Sequence, residues 1–147
     1  MFKKILIVCV GNICRSPIGE ALLREKLAKC APNALVSSAG IAAMINCPAD
    51  LLAQELMLER GLNISAHRAR QITPDILFNS DLILTMEARH QEQIESTFSG
   101  IRGRVHRLGK WGNFDIPDPY LRPKAIFEQV LALIEEGVND WKAKLWN

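Results

Sequence analysis

Residues Ile5-Leu-Ile-Val-Cys-Val10 form an unbroken apolar run that stops at Gly11-Asn12. With no polar residue at alternate positions, the segment has no face for water. It therefore reads as a strand buried on both sides within a parallel sheet. Such a strand needs helices above and below it, and the rest of the chain supplies them in alternation. Arg15-Ser16-Pro17 opens a helix running to about Lys29, since serine suits a helix cap and proline its first turn. Its apolar positions are Ala21, Leu22, Leu23 and Leu27.

Ala34–Ser37 is a short second strand, left through a turn at Ser38-Ala39-Gly40. Pro48-Ala49-Asp50 starts a helix through Leu51, Leu52, Leu56 and Leu58 that Gly61 stops. Thr73-Pro74-Asp75 caps a shorter helix. Asp81–Thr85 is a third strand, followed by a polar helix from Glu87 to about Thr97, and Val105–Leu108 is a weak fourth. Lys110–Pro123, with three prolines, is a long loop. Ile126, Val130, Leu131, Leu133, Ile134, Val138 and Trp141 define a closing amphipathic helix. Strands alternating with helices predict an α/β fold with a parallel sheet, and without repeat or linker residues 1–147 read as one domain.

Composition narrows the partners. Lys and Arg total 18 against 16 Asp and Glu, a charge of +2, too balanced for nucleic acid or an anionic membrane. The start, Met1-Phe2-Lys3-Lys4, superficially resembles a signal peptide, but Gly11, Asn12 and Arg15 break its apolar run too early. No stretch reaches the roughly 18 apolar residues of a membrane span, so no membrane insertion is expected. The four cysteines, Cys9, Cys14, Cys30 and Cys47, fall in the first third with nothing else to mark a secreted chain. Reduced thiols in the cytoplasm are the expectation. With His67, His90 and His106 they show no metal-ligand spacing, so neither a metal nor another cofactor is expected.

In folds of this class ligands bind where a strand's carboxyl end feeds a helix N-terminus. Here that loop is Cys9-Val-Gly-Asn-Ile-Cys-Arg-Ser-Pro17, with five residues between Cys9 and Arg15. Curled around an anion, its N–H groups point inward and the helix dipole adds positive potential. Gly11 suits the unusual backbone angles required, and Asn12 tolerates them. Arg15 has the planar fork that grips two phosphate oxygens. The same positive surroundings, with a hydroxyl proton from Ser16, favour a thiolate at Cys9, a nucleophile at the base of an oxyanion cradle. The competing reading makes Cys9 a plain strand residue and Arg15 a surface helix residue. Placement between strand and helix, with Gly11, Asn12 and Ser16 inside, weighs against it.

Phosphate ester cleavage also needs a proton donor for the leaving group. Asp118, stiffened by a proline on each side in Ile116-Pro-Asp-Pro-Tyr120, is one candidate and Asp115 the other. Asp-Pro is also an ordinary turn.

Together, the loop Cys9 to Ser16 and Asp118-Pro-Tyr120 resemble the two defining motifs of the low-molecular-weight protein-tyrosine phosphatases, in the expected order. Ser38-Ala-Gly40, His67-Arg-Ala-Arg-Gln71, Asp81-Leu-Ile-Leu-Thr-Met86 and the closing helix extend the likeness over essentially the whole chain. The resemblance implies a four-stranded parallel sheet flanked by helices on both faces, a phosphate-binding loop between the first strand and helix, and no metal. It implies Cys9 as nucleophile, Arg15 as phosphate and transition-state ligand, and Asp118 as general acid and then base. Val10, Gly11, Asn12, Ile13, Cys14 and Ser16 would surround the phosphate, with Asn12 and Ser38 bracing the loop and Ser16 supporting the thiolate. Cys14 would be a redox partner forming a reversible disulfide with Cys9; the alternative is a small residue packed behind the loop. The likeness is greatest to bacterial members beside exopolysaccharide export systems, which implies a phosphotyrosyl protein substrate, a tyrosine autokinase, and a monomer or weak dimer.

Two positions depart from the common pattern. Met44 stands where many members place an aromatic cleft residue, and Leu121 where many have a second tyrosine. Both point to a less aromatic cleft. Tyr120, Met44 and Ile13 are candidate walls of a slot for the substrate ring; the lesser alternative for Tyr120 is packing on a sheet edge. Asn46-Cys47-Pro48 replaces a commoner glycine-containing turn. Trp111 either anchors the acid loop or packs in the core, and His67, Arg68 and Arg70 stabilise loops near the cleft. Three other functions use related chemistry or surfaces. An arsenate reductase would need further cysteines after the third strand, and Asp81–Gly100 contains none. A protein-arginine phosphatase, by resemblance a related branch, usually has a threonine in place of Ile13, and the apolar Ile13 favours an aryl phosphate. A non-catalytic phosphoprotein-binding module would need neither Cys9 nor Asp118.

Overall fold

The computed structural model describes residues 2–147; Met1, on which part of the leader-like start falls, lies outside the described residues. Four strands, β1 (Lys4–Cys9), β2 (Leu35–Gly40), β3 (Leu82–Thr85) and β4 (Val105–Arg107), pair in parallel in the order β2-β1-β3-β4. The helices are α1 (Arg15–Cys30), α2 (Leu51–Glu59), α3 (Pro74–Phe78), α4 (Ala88–Thr97) and α5 (Lys124–Leu145).

The apolar run of β1 explains its central place. Ile5, Ile7 and Cys9 face one core with Ile18, Leu22 and Leu23 of α1 and Phe127, Val130, Ile134 and Val138 of α5. Leu6 and Val8 face the other, with Leu77 of α3, Ile94 of α4 and Ile101. Each such aliphatic side chain contributes about 1.5–3 kcal/mol when fully buried, so β1 is clamped from both faces and its carboxyl end is held rigidly. The chain passes from β1 to β2 on one side and returns to β3 on the other. That reversal opens a crevice at the carboxyl end of β1, where the sequence places Cys9.

Two local readings are corrected. Ser38-Ala39-Gly40 is not a turn but the end of β2, paired with Ile7, Val8 and Cys9. Gly40 makes this possible: a Cβ there would lie 2.5 Å from the Val10 carbonyl oxygen, with backbone on either side of it. Ser16 is likewise not the cap of α1. It lies inside the first turn, and the N-cap position falls to Cys14, which makes no side-chain cap bond. Asp50 and Thr73 do cap α2 and α3, their side chains accepting from Leu52 N–H and Ile76 N–H.

Candidate active site

The loop from Cys9 to Arg15 is braced from behind by a relay of hydrogen bonds whose direction is set by one carboxylate. Ser38 donates its proton to Glu20 Oε1 at 2.6 Å, so its oxygen can only accept from Asn12 Nδ2, at 3.0 Å. Asn12 Nδ2 spends its other proton on Ser16 Oγ at 2.7 Å. Ser16 is thereby left with its own proton free to donate to Cys9 Sγ, 2.9 Å away, the arrangement a thiolate accepts. Asn12 Oδ1 accepts from Arg70 N–H, which settles which way the amide points. Asn12 O also meets His67 Nε2 at 2.7 Å, so the segment around Arg70 braces the loop as the motif there implied.

Within the loop from Cys9 to Arg15, backbone strain sits at Asn12. Asn12 has φ +58, in the left-handed region, whereas Gly11 does not, and a Cβ at Gly11 would make only ordinary contacts of 3.7 Å with Ile13 and Met44. Asparagine, not glycine, makes the unusual turn here, and its side-chain bonds offset a cost of about 1 kcal/mol. Asn46, at φ +66, does the same in the turn where glycine is commoner.

Arg15 is 1% exposed, yet its guanidinium lines the cleft. Nη1 donates to Glu87 Oε2 at 2.7 Å and to the Ile116 carbonyl at 2.8 Å, which leaves Nη2 turned toward Asp118, 3.9 Å away. Burial pushes the Glu87 carboxyl up, but bonds from Arg15 and Arg89 outweigh it and hold the group below the usual carboxylate range. Glu87 was missed in the sequence because it reads as the start of a polar helix. Its position just past β3, beside β1, is the signal that would have found it.

The two candidate acids separate cleanly. Asp115 is committed elsewhere, accepting from Ala88 N–H at 3.0 Å and Arg107 Nη1 at 3.1 Å. Asp118 is 48% exposed at its side chain and lines the cleft, with Oδ1 accepting from Tyr120 N–H at 3.1 Å. The cleft, of about 180 Å³, is bounded by Cys9, Val10, Gly11, Ile13, Cys14 and Arg15, with Ala42, Met44, Asp118 and Tyr120. Ala42 carried no signal in the sequence. Asn12, Ser16 and Ser38 are buried behind the loop rather than on its face. Trp111 anchors the acid loop to α5 through an edge contact of 5.4 Å with Trp141, between Lys110 and Lys144.

The two loop cysteines differ in kind. Burial pushes the Cys14 thiol far up, helped by Asp50, Cys9 and Asp118 against a smaller opposing effect of Arg15. It is a protonated thiol and no rival nucleophile to Cys9. Among the described residues no cluster of three or more metal-ligating side chains occurs, and no helix is long and apolar enough to cross a membrane.

Residues 4–147 match the family model described as low molecular weight phosphotyrosine protein phosphatase. A probable low molecular weight protein-tyrosine-phosphatase EpsP of Ralstonia nicotianae is 44% identical, over 99% of this chain and 97% of that one. The structure of Vibrio vulnificus Wzb in complex with benzylphosphonate superposes with a TM-score of 0.92 at 42% identity, covering 99% of this chain and 100% of the other. That of the tyrosine phosphatase Wzb from Escherichia coli K30 with sulphate gives 0.91 at 39%, covering 99% of each.

Proposed function

The chain belongs to the low molecular weight phosphotyrosine protein phosphatase family, and from that premise we propose that Cys9, Arg15 and Asp118 carry the hydrolysis of phosphotyrosine. The observation that carries this reading is the directed relay ending on Cys9 Sγ, at the foot of a cleft that also holds the free edge of Arg15 and the carboxyl of Asp118.

Cys9 Sγ attacks phosphorus in line with the phenolic oxygen. The S–P bond forms as the P–O bond breaks, and Asp118 gives its proton to the departing oxygen. Arg15 Nη2 and the loop N–H groups hold the non-bridging oxygens, where charge is largest in the transition state. Asp118, now a carboxylate, takes a proton from water as it displaces Cys9 and releases phosphate. Tyr120, Met44 and Ile13 give the cleft apolar walls for an aryl ring, which supports phosphotyrosine over a phosphoguanidino group. The benzylphosphonate bound by the Vibrio relative has the same aryl-and-phosphorus outline. Residues 1–147 are read as one domain acting in the cytoplasm as a monomer or weak dimer. The resemblance to the exopolysaccharide-linked relatives supports a tyrosine autokinase as the protein substrate.

The test is phosphate release from a phosphotyrosyl peptide and from an autophosphorylated tyrosine kinase, with phosphoserine and phosphoarginine peptides as controls. Release from the first two alone is expected. Release from phosphoarginine at a comparable rate would overturn the aryl preference, and a kinase left phosphorylated would remove the autokinase. In the same assay Asp118→Asn should slow phosphoenzyme formation about 10²-fold for a poor phenolic leaving group and far less for a good one. Equal slowing of both would count against the acid role.

Cys14, in the same loop, is the proposed redox partner of Cys9. Peroxide would oxidise Cys9 to its sulfenic acid, and the Cys14 thiol would displace water from it to close a disulfide that added thiol reopens. Cys14→Ser should keep most of its activity yet recover poorly after peroxide and thiol treatment. Equal recovery in variant and parent would sink the protective disulfide.

A further inference from the structure

Glu87 occupies the N-cap position of α4, but its carboxylate makes no cap hydrogen bond. It is turned into the site, with Oε2 on Arg15 and Oε1 2.9 Å from Arg89 Nε. One helical turn on, His90 is 2% exposed, and its Nε2 lies 3.5 Å from the same Oε2. Neither ring nitrogen has a hydrogen-bond partner among the described residues. A buried imidazole left unpartnered is costly where an apolar side chain of that size would not be. Its place beside the carboxylate that orients Arg15 gives that cost a purpose.

We propose that His90 is a positioning residue for phosphate binding, acting through Glu87 as the reserve donor that holds Oε2 when Arg15 turns toward a bound dianion. The inference rests on Arg15 as the phosphate ligand. Arg15 Nη1 is already divided between Glu87 and the Ile116 carbonyl. Drawing the guanidinium toward an anion lengthens the bond to Glu87, and the 3.5 Å gap to His90 is short enough to close by a few tenths of an ångström. The carboxylate then stays paired and keeps the fork of Arg15 aligned.

The charged groups facing His90 are Glu87 and Arg89 on α4, Arg15 on α1 and Asp115 on the loop after β4. Burial, seconded by the two arginines and opposed by the two carboxylates, holds the ring below its ordinary 6.5. At neutral pH the uncharged ring would donate to Glu87 in the anion-bound state without adding charge. At lower pH the imidazolium competes with Arg15 for Glu87 and frees the guanidinium, so anion affinity rises.

Sulfate is the probe, since it stays a dianion across this range and its binding needs no turnover. His90→Leu should weaken sulfate binding about threefold to tenfold at pH 7 and abolish the tightening at lower pH expected of the parent. His90→Gln, which restores a donor near Nε2 but does not titrate, should recover the affinity and not the pH dependence. In a Glu87→Gln background, His90→Leu should cost nothing further. Affinity within twofold of the parent for His90→Leu, or the same loss in the Glu87→Gln background, would overturn the proposal. Should His90→Leu prove unstable, His90→Gln decides alone, because retained pH dependence would overturn it. A parent that binds sulfate without needing Arg15 would instead defeat the reading of Arg15, a result separable from the rest.

Discussion

Cys9→Ser is expected to leave the fold and anion binding intact while lowering kcat/KM by at least about 10⁴-fold. The hydrogen-bond relay explains the size of the loss. Ser16 accepts from Asn12 and has one proton, which it can donate to position 9, 2.9 Å away. That suits a sulfur able to exist as an anion. A hydroxyl there would have to lose its own proton, and its partner in the relay is a donor rather than a base. Asp118, on the opposite part of the cleft, is needed in its protonated form for the leaving group. Single-turnover phosphate release, compared with sulfate binding by the same preparation, separates chemistry from folding. Activity within about tenfold of the parent would mean that the nucleophile is another group.

Arg15→Lys is expected to cost about 10³-fold in kcat/KM although the charge is kept. One ammonium nitrogen cannot serve Glu87, the Ile116 carbonyl and the phosphate at once, as the two ends of the guanidinium can. Stability should also fall, by about 1–3 kcal/mol, because the buried Ile116 carbonyl loses its partner and Glu87 keeps only Arg89. The Glu87 carboxyl lies below its usual range in the parent. Its contribution to stability is therefore present above the ordinary carboxylate pKa of about 4.3 and is lost as pH falls through the depressed value. The gap in stability between parent and variant should narrow over that acidic range. Unfolding followed by circular dichroism at pH 7 and in steps below the ordinary carboxylate pKa of about 4.3, beside steady-state kinetics, reads both effects. A variant with more than about a tenth of parental activity would show that the fork geometry is dispensable.

The strand-to-helix loop was legible because each of its requirements has a residue-level signature. An apolar run with no alternation means burial on both faces, and its abrupt end at Gly11-Asn12 marks the carboxyl end of a strand. Cys9 and Arg15 then fall where an anion meets a helix N-terminus. The capped starts of α2 and α3 were legible for the same reason, since Asp50 and Thr73 act within their own turn. What was misread were positions whose local chemistry allows two outcomes. Ser16 is as good a cap as any serine, but its hydroxyl is claimed by Asn12 and Cys9. Ser38-Ala39-Gly40 has the composition of a turn, yet pairing with β1 draws it straight.

Local patterning thus determined the class of fold, the order of its elements and the loop that holds Cys9 and Arg15, because hydrophobic period, capping and loop chemistry act over a few residues. The tertiary structure decided which distant side chains complete that loop. Asp115 and Asp118 are near neighbours in one loop of the chain. They part because one meets Arg107 and the start of α4 while the other meets the cleft. Glu20, Ser38, Glu87 and His90 owe their roles to the β2-β1-β3 arrangement, which brings the carboxyl ends of three strands together. Hydrogen bonds and ion pairs act over about 3–4 Å of space, and that distance is set by how strands pair and helices pack, not by separation along the chain.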